Sequence, residues 1–169
     1  MRMWTRFTAV AAASGLMLVS PLAAQESGGA MTVAERQELA GYRLTMDNIR
    51  KAAVAGAKLN ALESDPRIKA VMESQEATSI TDAIKKLNAL PEARAAVEGS
   101  GLTAKDFLFT VIQLGYTAAA VRMQAMGGEA AKSIAKLPTS PQNMEFYAAH
   151  TAEIEPLEAE MHHAKDDDE

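Results

Sequence analysis

The sequence predicts an all-α fold, an irregular helical bundle wrapped around one buried central helix at about residues 104–126. N-terminal caps followed by apolar residues at 3–4 spacing recur along the chain. No stretch shows the period-2 alternation, bounded by turn signals, that is typical of a strand. The chain has 169 residues and no Cys, which suits a single core without disulfides. We therefore expect one helical domain at 32–161.

Residues 1–24 have the order of a secretory signal peptide: a positive start, an apolar stretch over residues 7–19, and small residues before the cut. We expect cleavage between Ala24 and Gln25. A bilayer-spanning helix needs about 20 apolar residues, which disfavours the alternative of an uncleaved anchor. The predicted location is periplasmic or secreted, with no membrane insertion after cleavage.

The predicted domain has flexible flanks. Residues 25–31 are polar and glycine-containing and form the predicted flexible leader. Residues 162–169 carry a run of carboxylates and no large apolar side chain, which is typical of an acidic disordered tail.

Composition disfavours several classes of function. The formal net charge is −5 and no basic face is evident, which argues against nucleic acid as a partner. The lack of Cys removes thiolate nucleophiles, covalent haem attachment and thiolate zinc sites. The single Trp, Trp4, falls in the predicted signal peptide, so an aromatic platform for sugars or bases is not expected.

The first half of the domain is predicted to be a series of helices. Thr32 and Glu35 have capping-box spacing, and Thr45 is a second candidate cap before a helix over 46–63. Whether residues 32–63 form one helix or two stays open at this point. Further short helices are predicted from their caps and prolines, at 66–75, after Ser79, and at 91–98.

The central helix has the clearest signals. Thr103 and Asp106 form a capping box, and Leu102 and Phe107 have the spacing of a hydrophobic staple. Apolar residues then cover nearly the whole circumference, which indicates a buried helix. This apolar run is shorter than a bilayer span and is interrupted by three polar residues, Thr110, Gln113 and Thr117.

The last helix is predicted to begin at the cap Ser140, which precedes a proline. Its inner stripe is predicted to consist of Phe146, Ala149, Ile154, Leu157 and Met161. Pro156 falls within this pattern, so we expect a kink near residues 152–156.

A possible metal site is suggested near the C-terminus. His150 and Glu153 share a helical face, as do Glu158 and His162, and such spacings present two ligands together. A solvated acidic face places the same residues at these spacings without binding metal. No cofactor motif and no assembled nucleophile, base and orienting group are recognisable, so we expect neither a resident cofactor nor enzymatic activity.

The stretch from Gly101 to Phe107, the apolar helix after it, and Asn143-x-x-Phe146 resemble small exported bacterial helical proteins of unassigned function. That resemblance implies a fold and no catalytic residue. A weaker likeness is to the periplasmic stress chaperones with Leu-Thr-x-x-Gln repeats, since Leu-Thr pairs occur at 44–45 and 102–103 without the glutamine.

The expected function is that of a non-enzymatic periplasmic binding or interaction protein. An apolar groove between helices would receive an unknown protein segment or a small apolar ligand. The alternative is a helical bundle that binds a metal or haem through its C-terminal His and Glu residues.

Overall fold

A computed structural model describes residues 31–62, 65 and 77–162 of the chain. All the regular secondary structure in these residues is helical, which confirms the predicted all-α class. The predicted signal peptide, residues 25–30 of the leader, the predicted helix at 66–75, and residues 163–169 of the tail lie outside the described residues.

The described part of the chain forms seven α-helices and one short 3₁₀ helix. In chain order these are α1 (Val33–Gly41), α2 (Met46–Leu62), α3 (Ile80–Ala89), α4 (Pro91–Glu98), α5 (Ala104–Met126), α6 (Gly128–Ser133), the 3₁₀ helix Ile134–Lys136, and α7 (Pro141–His162). The last helix thus extends one residue into the predicted tail.

Residues 32–63 contain two helices rather than one. The first begins at Thr32, whose side chain forms a reciprocal capping box with Glu35. It ends at Gly41, and the chain is extended at Tyr42. The second begins after Thr45, and the short connection between them turns the chain back over α5.

The central position of α5 follows from its burial, and its bounds agree with the predicted range. It contacts each of the other six described helices. Its core-facing side chains are fully or nearly buried as far as Ala120. The final turn leaves the bundle, where Met126 is 70 % exposed. Gly127, with φ 66°, ends the helix in a conformation that favours glycine.

The most extensive contact between helices joins α2 to α7. The predicted inner face of α2 is buried at all four positions, which are Ile49, Ala53, Gly56 and Leu59. A Cβ atom at Gly56 would lie 3.2 Å from Cγ of Met161. The missing side chain therefore allows the two backbones to approach closely.

The predicted kink in α7 was placed too far along the chain. The one described residue of this helix with non-helical dihedrals is His150, at φ −118° and ψ 15°. Pro156 lacks an N–H and its ring crowds the carbonyl one turn earlier, so the distortion is displaced toward the N-terminus. The Thr151 hydroxyl donates to the Tyr147 carbonyl at 2.9 Å, and such a bond also bends helices.

The predicted inner stripe of α7 was correct in part. Ile154 and Met161 are buried, but Ala149 is exposed. Asn143 and Tyr147 face the core instead, at 1 % and 4 % exposure. Tyr147, Ile154 and Met161 repeat every seven residues, the spacing of a helix that keeps one face on its neighbours.

None of the described helices has the length and apolar character needed to cross a membrane.

Candidate functional site

The structure describes the side chains of His150 and Glu153, which form the first predicted pair of metal ligands. The Nδ1 atom of His150 lies 2.9 Å from the Phe146 carbonyl oxygen, and the two rings stack with centroids 4.6 Å apart. The carboxylate of Glu153 accepts from Arg50 of α2 at 3.1 Å. These contacts turn the two side chains toward different partners.

Of the second predicted pair, the structure describes the side chain of Glu158. Glu158 accepts a hydrogen bond from the Tyr147 hydroxyl at 2.8 Å. His162 is the last residue of α7, and its side chain lies outside the description. Within residues 31–62, 65 and 77–162, no three His, Asp or Glu side chains are grouped closely enough to hold a metal ion. The metal site with His162 as a ligand therefore stays a prediction.

The four predicted cap residues lie at three helix N-termini. Thr45 Oγ1 accepts from the Asn48 N–H at 3.2 Å, at the start of α2. Thr103 Oγ1 accepts from the Asp106 N–H at 3.1 Å and donates to the Asp106 carboxylate at 2.7 Å. Each cap satisfies a backbone donor that the first turn leaves free.

The predicted cap Ser140 acts at the start of α7 and also leads into the core. Its Oγ accepts from the Asn143 N–H at 3.2 Å. The Asn143 side chain then accepts from the Leu44 N–H at 3.1 Å and donates to the Tyr42 carbonyl at 2.8 Å. One buried amide thereby joins α7 to the connection between α1 and α2.

Gln113 is the centre of a polar network inside the bundle, and none of its surface is exposed. With its amide oriented to suit its neighbours, the nitrogen donates to the carbonyls of Leu39 at 3.0 Å and Pro138 at 2.8 Å. The amide oxygen accepts from Asn143 and Thr139, both at 2.9 Å. All four hydrogen-bonding positions of the amide are paired, so the network has a structural role.

Two threonines extend this network along α5. Thr117 Oγ1 and Thr139 Oγ1 lie 2.8 Å apart, and Thr110 Oγ1 lies 2.8 Å from the Tyr42 hydroxyl. Thr110 and Thr117 have no exposed surface. The polar residues that interrupt the apolar run are thus among the most deeply buried side chains of the protein.

Glu35 joins the N-termini of two helices. Its carboxylate accepts from the Thr32 N–H at 2.8 Å and from both the N–H and hydroxyl of Thr81 at 2.7 Å. Burial raises the pKa of this carboxyl, but the hydrogen bonds from Thr81 and Thr32 outweigh burial and lower the pKa to about 2. The charged carboxylate lies at the start of α3, where the helix dipole also favours it.

Tyr147 and Glu158 form a second buried pair, which spans the kink in α7. Burial raises the pKa of Tyr147, and the neighbouring Glu158 raises it further. Burial also raises the pKa of Glu158, while the Tyr147 hydroxyl and the charge of Arg122 oppose that rise. The pair braces the two halves of α7 against each other.

An open cleft of about 340 Å³ lies between the end of α1 and the first turns of α5. Its lining consists of Glu38, Gly41, Tyr42, Lys105, Asp106 and Phe109. The rings of Tyr42 and Phe109 meet edge to face with centroids 5.6 Å apart. Lys105 pairs with Glu38 across the opening. The cleft thus combines an aromatic floor with a charged rim.

No local sequence pattern indicates this cleft. Glu38 and Lys105 are 67 residues apart in the chain, and each has the appearance of an ordinary solvated charge on its own helix. The predicted capping box at Thr103 is formed only in part, because the Asp106 carboxylate accepts from the Thr103 hydroxyl rather than from its backbone N–H. The Thr103 cap does fix the first turn of α5, and Lys105 lies in that turn. A sequence reading could therefore place Lys105 on a helix without indicating its partner.

The comparisons with known proteins give no match: no family model, no curated protein and no solved structure corresponds to this chain. The cleft is a concave surface lined by both aromatic and charged groups, and it is our candidate binding site.

Proposed function

We propose that this chain is an exported, non-enzymatic binding protein, and that the cleft between α1 and α5 receives its partner. The observation that carries the proposal is the composition of the cleft. The rings of Tyr42 and the nearly buried Phe109 line the cleft, and Glu38 and Lys105 supply charge at the opening. Binding sites typically combine apolar walls with a few placed polar groups.

The aromatic floor of the cleft is held by hydrogen bonds and core packing. The Tyr42 hydroxyl accepts from the Asn48 amide at 3.0 Å and lies 2.8 Å from Thr110 Oγ1. Phe109 belongs to a small core cluster with Leu39 and Ile80. A floor held in this way loses little freedom when a ligand binds, which favours affinity.

The cleft also changes the expected ligand. The sequence predicted an apolar groove, whereas charged side chains flank the aromatic floor here. A partner that presents an apolar or aromatic body with one polar end suits this lining better than a purely apolar segment does.

Export is proposed from the N-terminal pattern of charge, apolar stretch and small residues. N-terminal sequencing of the protein recovered from the periplasm of an expressing bacterium tests it. The expected first residue is Gln25. Recovery of an intact N-terminus from the cytoplasm would contradict export.

The binding role is tested with three probes that share a benzyl group and differ in charge: benzylammonium, benzyl alcohol and phenylacetate. Each is titrated into ¹⁵N-labelled protein, and backbone amide shifts are followed by NMR. We expect at least one probe to move the amides of residues 38–42 and 105–109 in a saturable way. The amides of α6, at the far end of α5, serve as the control region. If all three probes leave the cleft amides unmoved, the proposed function is wrong.

A further inference from the structure

Lys105 places its own positive charge inside the cleft. Its ammonium group pairs with the Glu38 carboxylate. The same Nζ atom lies over the Phe109 ring, 5.3 Å from the centroid. A carboxylate combined with an aromatic face is the arrangement by which proteins recognise alkylammonium groups.

The aromatic surface beneath this cation is well defined. Phe109 is only 2 % exposed, and the edge-to-face contact with Tyr42 fixes the orientation of its ring. An aromatic face attracts cations through its quadrupole, and the attraction grows as water is excluded. The floor therefore favours a positive charge over a negative or neutral group.

Lys105 itself is held weakly. The side chains of Lys105 and Glu38 are 50 % and 55 % exposed. Ion pairs with this exposure contribute little, because solvent screens them and long side chains lose freedom on pairing. The lysine stem has several rotatable bonds, so it can leave the ring without disturbing α5.

Building on the proposed function of the cleft, we propose that it binds an alkylammonium group and that Lys105 occupies this site until a ligand displaces it. The incoming ammonium takes the place of Nζ between Glu38 and Phe109. Its source is either a free amine or a lysine side chain of a peptide, which present the same chemistry.

The test uses the benzyl series together with two further probes. We expect benzylammonium to bind at low-millimolar concentration and at least fivefold more tightly than benzyl alcohol or phenylacetate. A blocked peptide with one lysine is compared with its norleucine counterpart and with butylammonium. Tighter binding of the lysine peptide than of butylammonium assigns the source to a peptide, and the reverse assigns it to a free amine.

Two substitutions at exposed positions test the roles of Lys105 and Glu38 separately. Lys105→Ala removes the internal competitor, and we expect affinity for benzylammonium to rise about threefold to tenfold. Glu38→Gln removes the carboxylate, and we expect affinity to fall by a similar factor. The matched controls are Lys132→Ala and Glu129→Gln, which disrupt an exposed ion pair outside the cleft and should leave affinity unchanged. Because all four positions are exposed, circular dichroism should show the same helix content in every variant.

The outcomes distinguish this inference from the proposed function. If benzyl alcohol moves the cleft amides as strongly as benzylammonium does, the cleft binds ligands but the cation preference is wrong. Unchanged or weaker binding of benzylammonium to Lys105→Ala would overturn the role of Lys105 as an internal occupant. No response to any probe would remove both proposals together.

Discussion

Glu35 and Glu158 are both withdrawn from water, yet their pKa values move in opposite directions. Glu35 is only 7 % exposed. Burial raises its pKa, but hydrogen bonds from Thr81 and Thr32 reverse the effect and lower it to about 2. Glu158 is less deeply buried than Glu35. Burial raises its pKa, and the opposing effects of the Tyr147 hydroxyl and of Arg122 do not reverse that rise.

The difference teaches that the number of donors, rather than the depth of burial, decides the direction in which the pKa values of these two carboxyl groups move. Two helix N-termini supply Glu35 with N–H groups that have no partner within their own helices. Glu158 lies in the interior of a helix, where backbone N–H groups are already paired. Glu35 also fixes the orientation of α1, and that helix carries Glu38 at the rim of the cleft.

The largest loss of stability is expected at Gln113, a neutral side chain that also depends on its hydrogen-bond partners. Gln113→Met keeps the volume of the side chain and removes both donors and both acceptors. Carbonyls of Leu39 and Pro138 and the Asn143 amide would lose a partner inside the core. Each of the four lost hydrogen bonds contributes about 0.5–1.5 kcal/mol, so we expect a loss of roughly 3–5 kcal/mol in the free energy of unfolding.

Chemical denaturation followed by circular dichroism measures that loss. Gln124→Met, at an exposed position of the same helix, is the matched control and should change stability by less than about 0.5 kcal/mol. Equal stability of the two variants would show that the buried network contributes nothing to the fold.

The second effect tests Glu35 directly. Glu35→Gln removes the charge that Thr32 and Thr81 stabilise, and we expect a loss of about 1.5–3 kcal/mol at pH 7. The folded-state pKa is about 2, against an ordinary value of 4.5. The stability contributed by this charge is therefore present above about pH 4.5 and is lost as the pH falls toward 2.

Chemical denaturation of the unchanged protein and of Glu35→Gln between pH 4.5 and 2 checks the sign of this pH dependence. The difference in stability between the unchanged protein and Glu35→Gln should narrow as the pH falls from 4.5 to 2. Glu92→Gln, in the exposed first turn of α4, serves as the control for a surface carboxylate. A difference that stays constant with pH would contradict the lowered pKa.

The third effect concerns the other glutamate. Tyr147→Phe removes the hydroxyl that lowers the pKa of Glu158, so we expect that pKa to rise further and stability to fall by about 1 kcal/mol. Because the pKa of Glu158 in the folded state is already raised, its contribution is complete below about pH 4.5. That contribution is lost as the pH rises through the folded-state value.

Carboxyl ¹³C shifts followed through a pH titration measure the pKa of Glu158 in both proteins. The shift of Glu35 in the same spectra is the internal control, because it lies on a different helix and should titrate unchanged. A Glu158 pKa that stays the same in Tyr147→Phe would mean that the hydrogen bond has no influence on the charge.

The hydrogen bonds described above also show which features of the fold can be predicted from the sequence. The cap residues Thr45, Thr103 and Ser140 and the buried face of α2 follow from spacings of three or four residues, which helix geometry fixes locally. Thr32 and Glu35 form a box for the same reason. The hydrogen bonds from Thr81 to Glu35 cross 46 residues and depend on how α1 packs against α3, so no local pattern contains them.

The errors in α7 have a similar physical origin. A pattern of apolar residues favoured Ala149 for the core, but the structure buries Asn143 and Tyr147 because their polar ends find partners there. Polarity alone is a poor guide to burial when a network is fully paired. The cleft was beyond prediction, since Glu38 and Lys105 meet only through the tertiary fold.

Glu153 is an exposed carboxylate, in contrast to Glu35 and Glu158, and its substitution has the smallest expected effect on stability. It pairs with Arg50 at 3.1 Å, and the two side chains are 56 % and 61 % exposed. Solvent screens such a pair, so Glu153→Gln should change the free energy of unfolding by less than about 0.5 kcal/mol, and added salt should reduce the change.

The same variant tests the metal hypothesis from the sequence. If Glu153 were a ligand, added zinc would raise the melting temperature of the unchanged protein and leave that of Glu153→Gln lower by several degrees. We expect equal responses to zinc in the two proteins, because in the structure the carboxylate faces a guanidinium.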